Sequence, residues 1–325
     1  MDYEIVATLG PKSDTEMMWQ RMLAVGVTAF RLNTSHLTSV ELATWVRRLG
    51  VLLGGRTPRP ALVLDLQGSK WRLGDCVPSK LAEGQRVEFA CAPVAPRAGV
   101  LPVPHPDFFR AARVSSGEIV LDDAKLRLAV ESYTDDTLLA RVVVGGPLLP
   151  RKGITYTAST YRQESLTEAD RAILERTREA PGIRYALSYV KDAAEMASYR
   201  RQIGSGTYLI AKLERQPAVD EAAMVAAHCD EVWLCRGDLG AELGLAAMAE
   251  AVGRFSDGVG ALPVPALLAG QVFEHMTEHA APTRSEVCAV HDALRRGYRG
   301  LVLSDETAIG RDPLEACRMA ALFRG

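Results

Sequence analysis

The sequence predicts an α/β protein, a (β/α)8 TIM barrel with an inserted small β-barrel lid domain. Short apolar runs alternate with longer helix-compatible stretches, and one segment of short strands interrupts that alternation. Parallel strands that are buried on both faces and joined by crossover helices have this pattern. Since a (β/α)8 barrel uses about 250 residues, a chain of 325 residues can hold a barrel and an insert.

Eight apolar runs are the candidate barrel strands, and each is rich in Val, Leu, Ile or Ala. They lie at residues 4–9, 27–33, 61–66, 183–189, 208–214, 231–237, 264–270 and 300–306. In such barrels the functional side chains collect at the carboxyl ends of the strands and in the loops that follow. Polar residues interrupt the apolar runs at those ends: Arg31, Asn33, Asp65, Ser188, Lys212, Glu214, Arg236, Asp238, Ser304 and Glu306.

The helix pattern disappears between residues 74 and 150, where short strand-like runs alternate with Pro- and Gly-rich joints. We therefore expect a β-rich lid domain at 74–150, inserted after the third barrel strand. The barrel itself then comprises 1–73 and 151–325. Gly74 and Gly153 flank the insert and are the expected hinge positions.

Composition argues against nucleic-acid-binding, membrane-spanning and secreted proteins. A net charge of −2 without a Lys/Arg stripe argues against nucleic acid as a partner, and no apolar run reaches the roughly 18 residues of a membrane span. The first residues do not form a signal peptide, so we expect a cytoplasmic protein. The six cysteines form no CxxC motif. Small molecules are the expected partners.

One pair of segments points to a metal and phosphate site. AKLERQ and CRGDLG place Lys212, Glu214 and Asp238 at the ends of adjacent strands. Mg²⁺ or Mn²⁺ prefers carboxylate oxygens and needs few protein ligands, while a lysine neutralises phosphoryl charge. The alternative is a buried structural Lys–Glu pair.

An ordered series of motifs carries a family resemblance. It comprises IVATLGP, RLNTSH, LDLQG, RKG, LTEAD, ALSYVK, AKLERQ, RGDLG, PTRSEV and SDETAIGRDPLEA. With these motifs, the chain resembles the pyruvate kinase family over nearly its whole length, from Ile5 to Ala316. The resemblance implies a catalytic barrel with a lid that closes over the nucleotide.

The resemblance also implies residue roles. Lys212 matches the lysine that stabilises the phosphoryl group during transfer, and Arg31 matches an arginine that binds this group. Glu214 and Asp238 match the divalent-metal ligands. The matching substrate residues are Arg236, Gly237, Asp238, Gly270 and Ser188. The nucleotide residues are His36, Lys152 and Asn33, and the monovalent-cation pocket comprises Asn33, Ser35, Asp65 and Leu66.

Two departures from the family pattern affect the chemistry. Gly270 stands where the family has threonine, which removes a hydroxyl beside the substrate. Lys70 stands where the family usually has glutamate, an exchange that in the family accompanies independence from K⁺. The physical reason is that a tethered ammonium supplies the missing positive charge, so Lys70 joins the catalytic set and no K⁺ requirement is expected. The alternative is a solvated loop lysine.

The sequence ends at Gly325, directly after the segment that matches the eighth barrel unit. We therefore expect no C-terminal regulatory domain, and a monomer or a barrel-to-barrel homodimer. The expected function is metal-dependent, K⁺-independent phosphotransfer between phosphoenolpyruvate and a nucleoside diphosphate such as ADP. Two alternatives stay open: a paralogue acting on another enolpyruvate, 2-oxo acid or acceptor, and a noncatalytic sensor of a phosphorylated metabolite.

Overall fold

The computed structural model describes residues 1–114, 118–122, 125–157 and 166–324. The described chain divides into two compact units. The barrel unit comprises 1–68, 166–236 and 250–325, and the insert unit comprises 69–165 and 237–249. Gly325, where the sequence ends, lies outside the described residues.

Eight parallel strands close the barrel, which confirms the predicted fold class and the eight strand positions. Each strand pairs with its sequence neighbours, and the first pairs with the eighth. The strands are Glu4–Thr8, Ala29–Asn33, Ala61–Leu66, Ile183–Leu187, Tyr208–Leu213, Glu231–Cys235, Ala266–Ala269 and Gly300–Leu303.

Helices connect the strands of the barrel unit. The α-helices are Glu16–Ala24, Ser39–Gly54, Glu168–Thr177, Ala193–Ile203, Gln216–Asp220, Ala222–Ala226, Leu245–Gly258, Arg284–Arg296, Asp305–Ala308 and Pro313–Ala320, and the short 3₁₀ turns are Thr34–His36, Val259–Ala261 and Glu274–Thr277. The helix Leu245–Gly258 begins in the insert unit and continues into the barrel unit. Thr38, Thr167 and Thr283 each begin a helix with a capping box, in which the threonine and an acidic residue three positions later satisfy each other's backbone amides.

Side chains of alternate strand residues fill the barrel interior. The layer of buried residues comprises Val6, Ala29, Ala61, Val63, Ala186, Ile210, Trp233, Cys235, Leu267, Ala269 and Val302. Because side chains alternate between the two faces of a strand, the residue two positions after each of these also points inward. This alternation determines which polar side chains meet at the carboxyl ends of the strands.

The insert unit is built mainly from β-strands, as expected. One six-stranded sheet has the order Ile154–Tyr156, Ile119–Leu121, Leu126–Tyr133, Thr137–Val144, Arg86–Ala90 and Val100–Pro102. Gly146–Leu148 and Ser79–Leu81 form a separate antiparallel pair, and Pro106–Ala111 is helical. The helix Arg236–Leu243 belongs to this unit from Gly237 onward. The predicted limits of the insert, 74 and 150, lie inside this unit because the strand after Gly153 pairs with Ile119–Leu121.

The insert unit has its own apolar core. Trp71 is 2% exposed and meets Phe108 and Tyr156 edge to face, with ring centroids 5.4 and 6.0 Å apart. The indole nitrogen donates a hydrogen bond to Asp107 at 2.8 Å, so the polar end of this side chain is satisfied inside the core. No helix among the described residues is long and apolar enough to cross a membrane.

Candidate active site

A buried polar cluster lies at the carboxyl ends of the barrel strands. It contains Arg31, Asp65, Ser188, Lys212 and Glu214, which belong to four neighbouring strands or to the residues just after them. Four of the five continue the inward-facing alternation: Arg31 follows Ala29, Asp65 follows Val63, Ser188 follows Ala186 and Lys212 follows Ile210. Their meeting is thus a direct result of strand periodicity and register.

Asp65 is the centre of this cluster. Arg31 donates from Nε to the Asp65 carboxylate at 2.8 Å, and the Lys212 ammonium lies 3.2 Å from Oδ2 and 3.3 Å from Oδ1. Ser188 Oγ donates to Oδ1 at 3.0 Å and accepts from Lys212 at 3.0 Å. Asp65 is only 2% exposed, so two cations and a hydroxyl replace the water it has lost.

The pKa values follow from this arrangement. Burial by itself would raise the pKa of Asp65, but the charges of Lys212 and Arg31 lower that pKa well below the ordinary value. Burial would likewise lower the pKa of Lys212, and the attraction of Asp65 and Glu214 raises it above the ordinary range. Both groups are therefore charged at neutral pH, and the cluster keeps a positive ammonium at the end of the barrel.

Glu214 occupies a rigid position beside Lys212. Its Oε1 lies 3.0 Å from the Lys212 ammonium, and its Oε2 accepts from the backbone amide of Tyr189 at 2.7 Å. Tyr189 has φ +65°, an unusual conformation for a tyrosine, and this turn aims its amide at the carboxylate. Glu214 itself is 2% exposed.

The loop after the third barrel strand is held against the fourth. Gly68 has φ +58°, and a Cβ at this position would lie 2.2 Å from the carbonyl oxygen of Ser188, so only glycine fits. The carboxylate of Asp170 accepts from the amides of Gln67 and Gly68, both at 3.0 Å. Asp170 thus joins a helix N-terminus to the loop that follows Asp65.

The predicted monovalent-cation pocket is only partly available in this conformation. Ser35 Oγ is buried and has no hydrogen-bond partner among the described residues, which suits a cation ligand. Asn33 Oδ1 accepts from the Ser35 amide at 3.3 Å, and the Leu66 carbonyl accepts from the Ser188 amide at 3.3 Å. The Asp65 carboxylate is occupied by Lys212 and Arg31. The cation-ligand role of these residues stays a prediction.

The Arg236 guanidinium fixes the turn after the seventh strand. It donates to the Gly270 carbonyl at 2.8 and 3.0 Å and to the Gln271 carbonyl at 2.8 Å. Gly270 has φ +76° and Gln271 has φ +54°. Glycine adopts this left-handed region readily, whereas a β-branched residue is strongly disfavoured there.

Lys70 and Asp238 form an ion pair within the insert unit. The ammonium lies 2.5 Å from Asp238 Oδ2, and the two side chains are 12% and 15% exposed. Gly153 makes room for the lysine, because a Cβ there would lie 2.7 Å from Lys70 Cε. Lys70 is therefore a partly buried, paired lysine, which argues against the solvated-loop alternative.

The remaining predicted residues are more dispersed. Lys152 pairs with Asp122 in the insert unit, with Nζ 2.9 Å from Oδ1. His36 ends the 3₁₀ turn that follows the second barrel strand. Gly237, the residue after Arg236, begins the second segment of the insert unit. The substrate and nucleotide roles of these residues stay predictions.

Carboxylate chemistry at Glu214 and Asp238 suits a hard divalent cation such as Mg²⁺. Each carboxylate is balanced here by a lysine, Lys212 for Glu214 and Lys70 for Asp238. In the described part of the chain, no group of three or more His, Cys, Asp or Glu side chains could hold a metal ion. Glu214 belongs to the barrel unit and Asp238 to the insert unit, and their role as metal ligands stays a prediction.

Sequence reasoning did not identify three residues that support the cluster. Thr8 Oγ1 accepts a hydrogen bond from Arg31 at 2.9 Å. Cys235 is buried, and this burial raises the pKa of its thiol well above the ordinary value. Asp170 holds the loop after the third barrel strand through the amide of Gln67. Thr8 and Cys235 follow Val6 and Trp233 in the inward alternation. The period of two in each strand was the available signal.

The family model and the similar proteins that match this chain all belong to one family. Residues 2–317 match the family model described as pyruvate kinase, barrel domain. The chain is 32% identical over 315 residues to a pyruvate kinase of Methylorubrum extorquens and 31% identical over 319 residues to one of Agrobacterium vitis, covering 96% of this chain and 66% of each relative. It is 30% identical to pyruvate kinase 2 of a Synechocystis species, covering 98% of this chain and 55% of that protein.

The chain thus spans about two thirds of the length of the first two relatives and just over half of the third. The matched residues include all eight barrel strands and the insert unit, and with them every residue of the polar cluster. This chain belongs to the pyruvate kinase family.

Proposed function

We propose that the protein transfers a phosphoryl group between phosphoenolpyruvate and a nucleoside diphosphate, with ADP as the first candidate. The observation that carries the proposal is the buried cluster of Arg31, Asp65, Lys212 and Glu214 in a chain of the pyruvate kinase family. Phosphoryl transfer requires precise positioning and stabilisation of spread negative charge. A lysine and an arginine fixed by a buried carboxylate meet both requirements.

The residue roles in this proposal follow the family resemblance. The bond between phosphorus and the enol oxygen of phosphoenolpyruvate breaks, and a bond to a terminal oxygen of the diphosphate forms. Lys212 and Arg31 hold the phosphoryl group as it passes, and Arg236, Gly237, Asp238, Gly270 and Ser188 bind the substrate. The enolpyruvate left behind takes up a proton at carbon to give pyruvate.

Glu214 and Asp238 are the proposed ligands of Mg²⁺ or Mn²⁺, which when bound would neutralise phosphate charge. The support is the donor chemistry, since both side chains are carboxylates and Mg²⁺ prefers carboxylate oxygens. His36, Lys152 and Asn33 are proposed to bind the nucleotide, with residues 74–150 acting as a lid.

Independence from K⁺ is part of the proposal. The support is Lys70, whose ammonium is fixed by Asp238 and is partly buried. A fixed ammonium can provide the positive charge that a monovalent cation otherwise brings.

The direct test follows phosphoenolpyruvate by ³¹P NMR with enzyme, Mg²⁺ or Mn²⁺ and a mixture of nucleoside diphosphates, in buffer without K⁺. We expect the phosphoenolpyruvate signal to decline as nucleoside triphosphate signals grow, and added K⁺ to change the rate little. An unchanged spectrum under all conditions would refute phosphotransfer and favour a sensor. Saturation-transfer NMR or calorimetry would then show whether the protein binds phosphoenolpyruvate without turning it over, as a sensor would.

A second candidate is supported by Gly270. With no side chain and with φ +76°, this position cannot present the hydroxyl that the family threonine brings to the substrate. A paralogue that handles a bulkier enolpyruvate or 2-oxo acid would fit. In the NMR assay this alternative predicts slow turnover of phosphoenolpyruvate and faster turnover of an analogue with a larger substituent on the methylene carbon.

A further inference from the structure

A cavity of about 400 Å³ lies in the barrel unit, beside the amino-terminal ends of two strands. Leu62 and Ile183 line it near the starts of Ala61–Leu66 and Ile183–Leu187, while the polar cluster lies at the other end of these strands. Helix Ser39–Gly54 supplies much of the wall. Its volume falls within the range of about 300–1,000 Å³ that is common for small-molecule sites.

Two arginines, Arg47 and Arg59, line this cavity. Neither guanidinium makes an ion pair or hydrogen bond with another described residue. By contrast, the adjacent Arg48 pairs with Asp14 at 2.7 Å. No acidic side chain lines the cavity among the described residues. Both arginines are exposed and have no counter-charge among the described residues, so an anion in the cavity would be attracted to either of them.

The rest of the lining is mostly apolar. It includes Val46, Val51, Leu53, Pro60, Leu62 and Ile183. Val51 is 80% exposed, although a valine gains free energy when it is covered. An inorganic anion would satisfy the arginines and leave this apolar surface in water. A ligand with both a negative group and an apolar body would satisfy both parts.

Two glycines keep the cavity open and shaped. A Cβ at Gly50 would have no atom within 4 Å, so this helical position faces empty space. Gly182 has φ +77°, and a Cβ there would lie 2.9 Å from Arg59 Nε, so the glycine lets the arginine lie close to this segment. The sequence thus leaves space at residue 50 of the helix and allows Arg59 to lie against Gly182.

We propose that this cavity is a binding site for a small amphipathic anion, a carboxylate or phosphate with an aliphatic body. The anionic group lies between Arg47 and Arg59, and the aliphatic body covers Val51 and Leu53. This site is separate from the proposed phosphotransfer chemistry, and its occupation does not depend on that chemistry.

Isothermal titration calorimetry on the full chain tests the proposal with four probes: decanoate and decyl phosphate below their micelle concentrations, decanol and inorganic phosphate. We expect one saturable site for decanoate or decyl phosphate, and the tighter of the two identifies the anionic group. Decanol and inorganic phosphate are each expected to bind at least about tenfold more weakly, because each satisfies only half of the lining.

Variants locate the site. Arg47→Gln and Arg59→Gln are each expected to weaken the binding by about tenfold or more, the loss expected for one charged hydrogen bond. Gly50→Leu is expected to abolish the binding by filling the space. Arg56→Gln removes the same charge just beyond the helix, from a residue that does not line the cavity, and is expected to bind like the natural chain.

Far-UV circular dichroism and thermal melting of each variant show whether it is folded. Absence of saturable binding, equal affinity in Arg47→Gln, Arg59→Gln and Arg56→Gln, or full binding in a folded Gly50→Leu would each overturn the proposal. Tight binding of inorganic phosphate alone would also overturn it, since the apolar wall would then play no part.

Discussion

The ammonium of Lys70 lies 2.5 Å from the carboxylate of Asp238, although 168 residues separate them in the chain. Asp238 is a predicted metal ligand, and Lys70 stands where the family usually has an acidic residue. The pair therefore connects two proposals, metal binding and independence from K⁺, because the same lysine balances the carboxylate and supplies a fixed positive charge.

The first prediction concerns Lys70→Gln. This variant removes the fixed charge but keeps most of the length of the side chain. We expect turnover in buffer without K⁺ to fall by about tenfold or more, the cost of one charged hydrogen bond, and added K⁺ to restore part of it. Initial rates of pyruvate formation at several K⁺ concentrations measure the effect.

Lys80→Gln is the matched control, since Lys80 is an exposed lysine on a strand of the same unit. Its rates are expected to equal those of the natural chain at every K⁺ concentration. A Lys70→Gln variant that forms pyruvate equally fast with and without K⁺ would contradict the role given to Lys70.

The second prediction concerns Asp65→Asn. The substitution preserves shape but leaves Arg31 and Lys212 without their shared buried counter-charge. Removing one partner from a buried ion pair typically costs about 3–5 kcal/mol, so we expect a loss of this size in the free energy of unfolding and a loss of phosphotransfer. Urea denaturation and the pyruvate assay measure the two effects.

Ser188→Ala provides the comparison, because it removes only a neutral hydroxyl from the same network. We expect it to cost about 1 kcal/mol, the usual net value of one hydrogen bond. If Asp65→Asn and Ser188→Ala were equally stable, Asp65 would not be the electrostatic centre of the cluster.

The third prediction concerns pH and Glu231, at the amino-terminal end of the barrel. Glu231 is 1% exposed, and its carboxylate accepts from Arg184 at 3.1 Å and from Tyr208 at 2.9 Å. Burial, and to a lesser extent the charge of Glu4, raises its pKa to about 7. The folded protein therefore binds a proton at Glu231 more tightly than the unfolded chain does.

The sign of the effect follows from linkage. A carboxyl group whose folded pKa is raised contributes its full stability below the unfolded pKa, near 4.5, and loses it as pH rises through about 7. We expect Glu231→Gln to reduce the fall in unfolding free energy between these pH values by an amount on the order of 3 kcal/mol. Urea denaturation from pH 5 to 8 measures it. Parallel curves for the natural chain and Glu231→Gln would contradict the prediction.

The fourth prediction concerns Gly270→Thr, which restores the family residue. Since Gly270 has φ +76°, we expect a loss of about 1–3 kcal/mol in stability and no gain in turnover. Gly270→Asn is the control, because asparagine tolerates the left-handed region better than a β-branched residue. A threonine variant that is as stable as the natural chain, with faster turnover, would show that the missing hydroxyl limits the proposed reaction.

Sequence alone determined the fold and much of the candidate site. Eight apolar runs separated by helix-compatible stretches predicted the barrel, and polar residues at the ends of these runs predicted Arg31, Asp65, Ser188, Lys212 and Glu214 as neighbours. The barrel and the cluster both follow from local rules. Alternate side chains of a strand point into the barrel, and because all strands are parallel, their carboxyl ends lie at the same end of the barrel.

Tertiary structure alone decided the pairing of these groups. Lys212 and Asp65 are 147 residues apart, and only the register of neighbouring strands places them within 3.3 Å. No local sequence pattern predicts the left-handed backbone at Gly270 or the uncompensated arginines around the cavity. Charge pairing and burial depend on distances between segments that are remote in sequence, and packing of the whole barrel sets those distances.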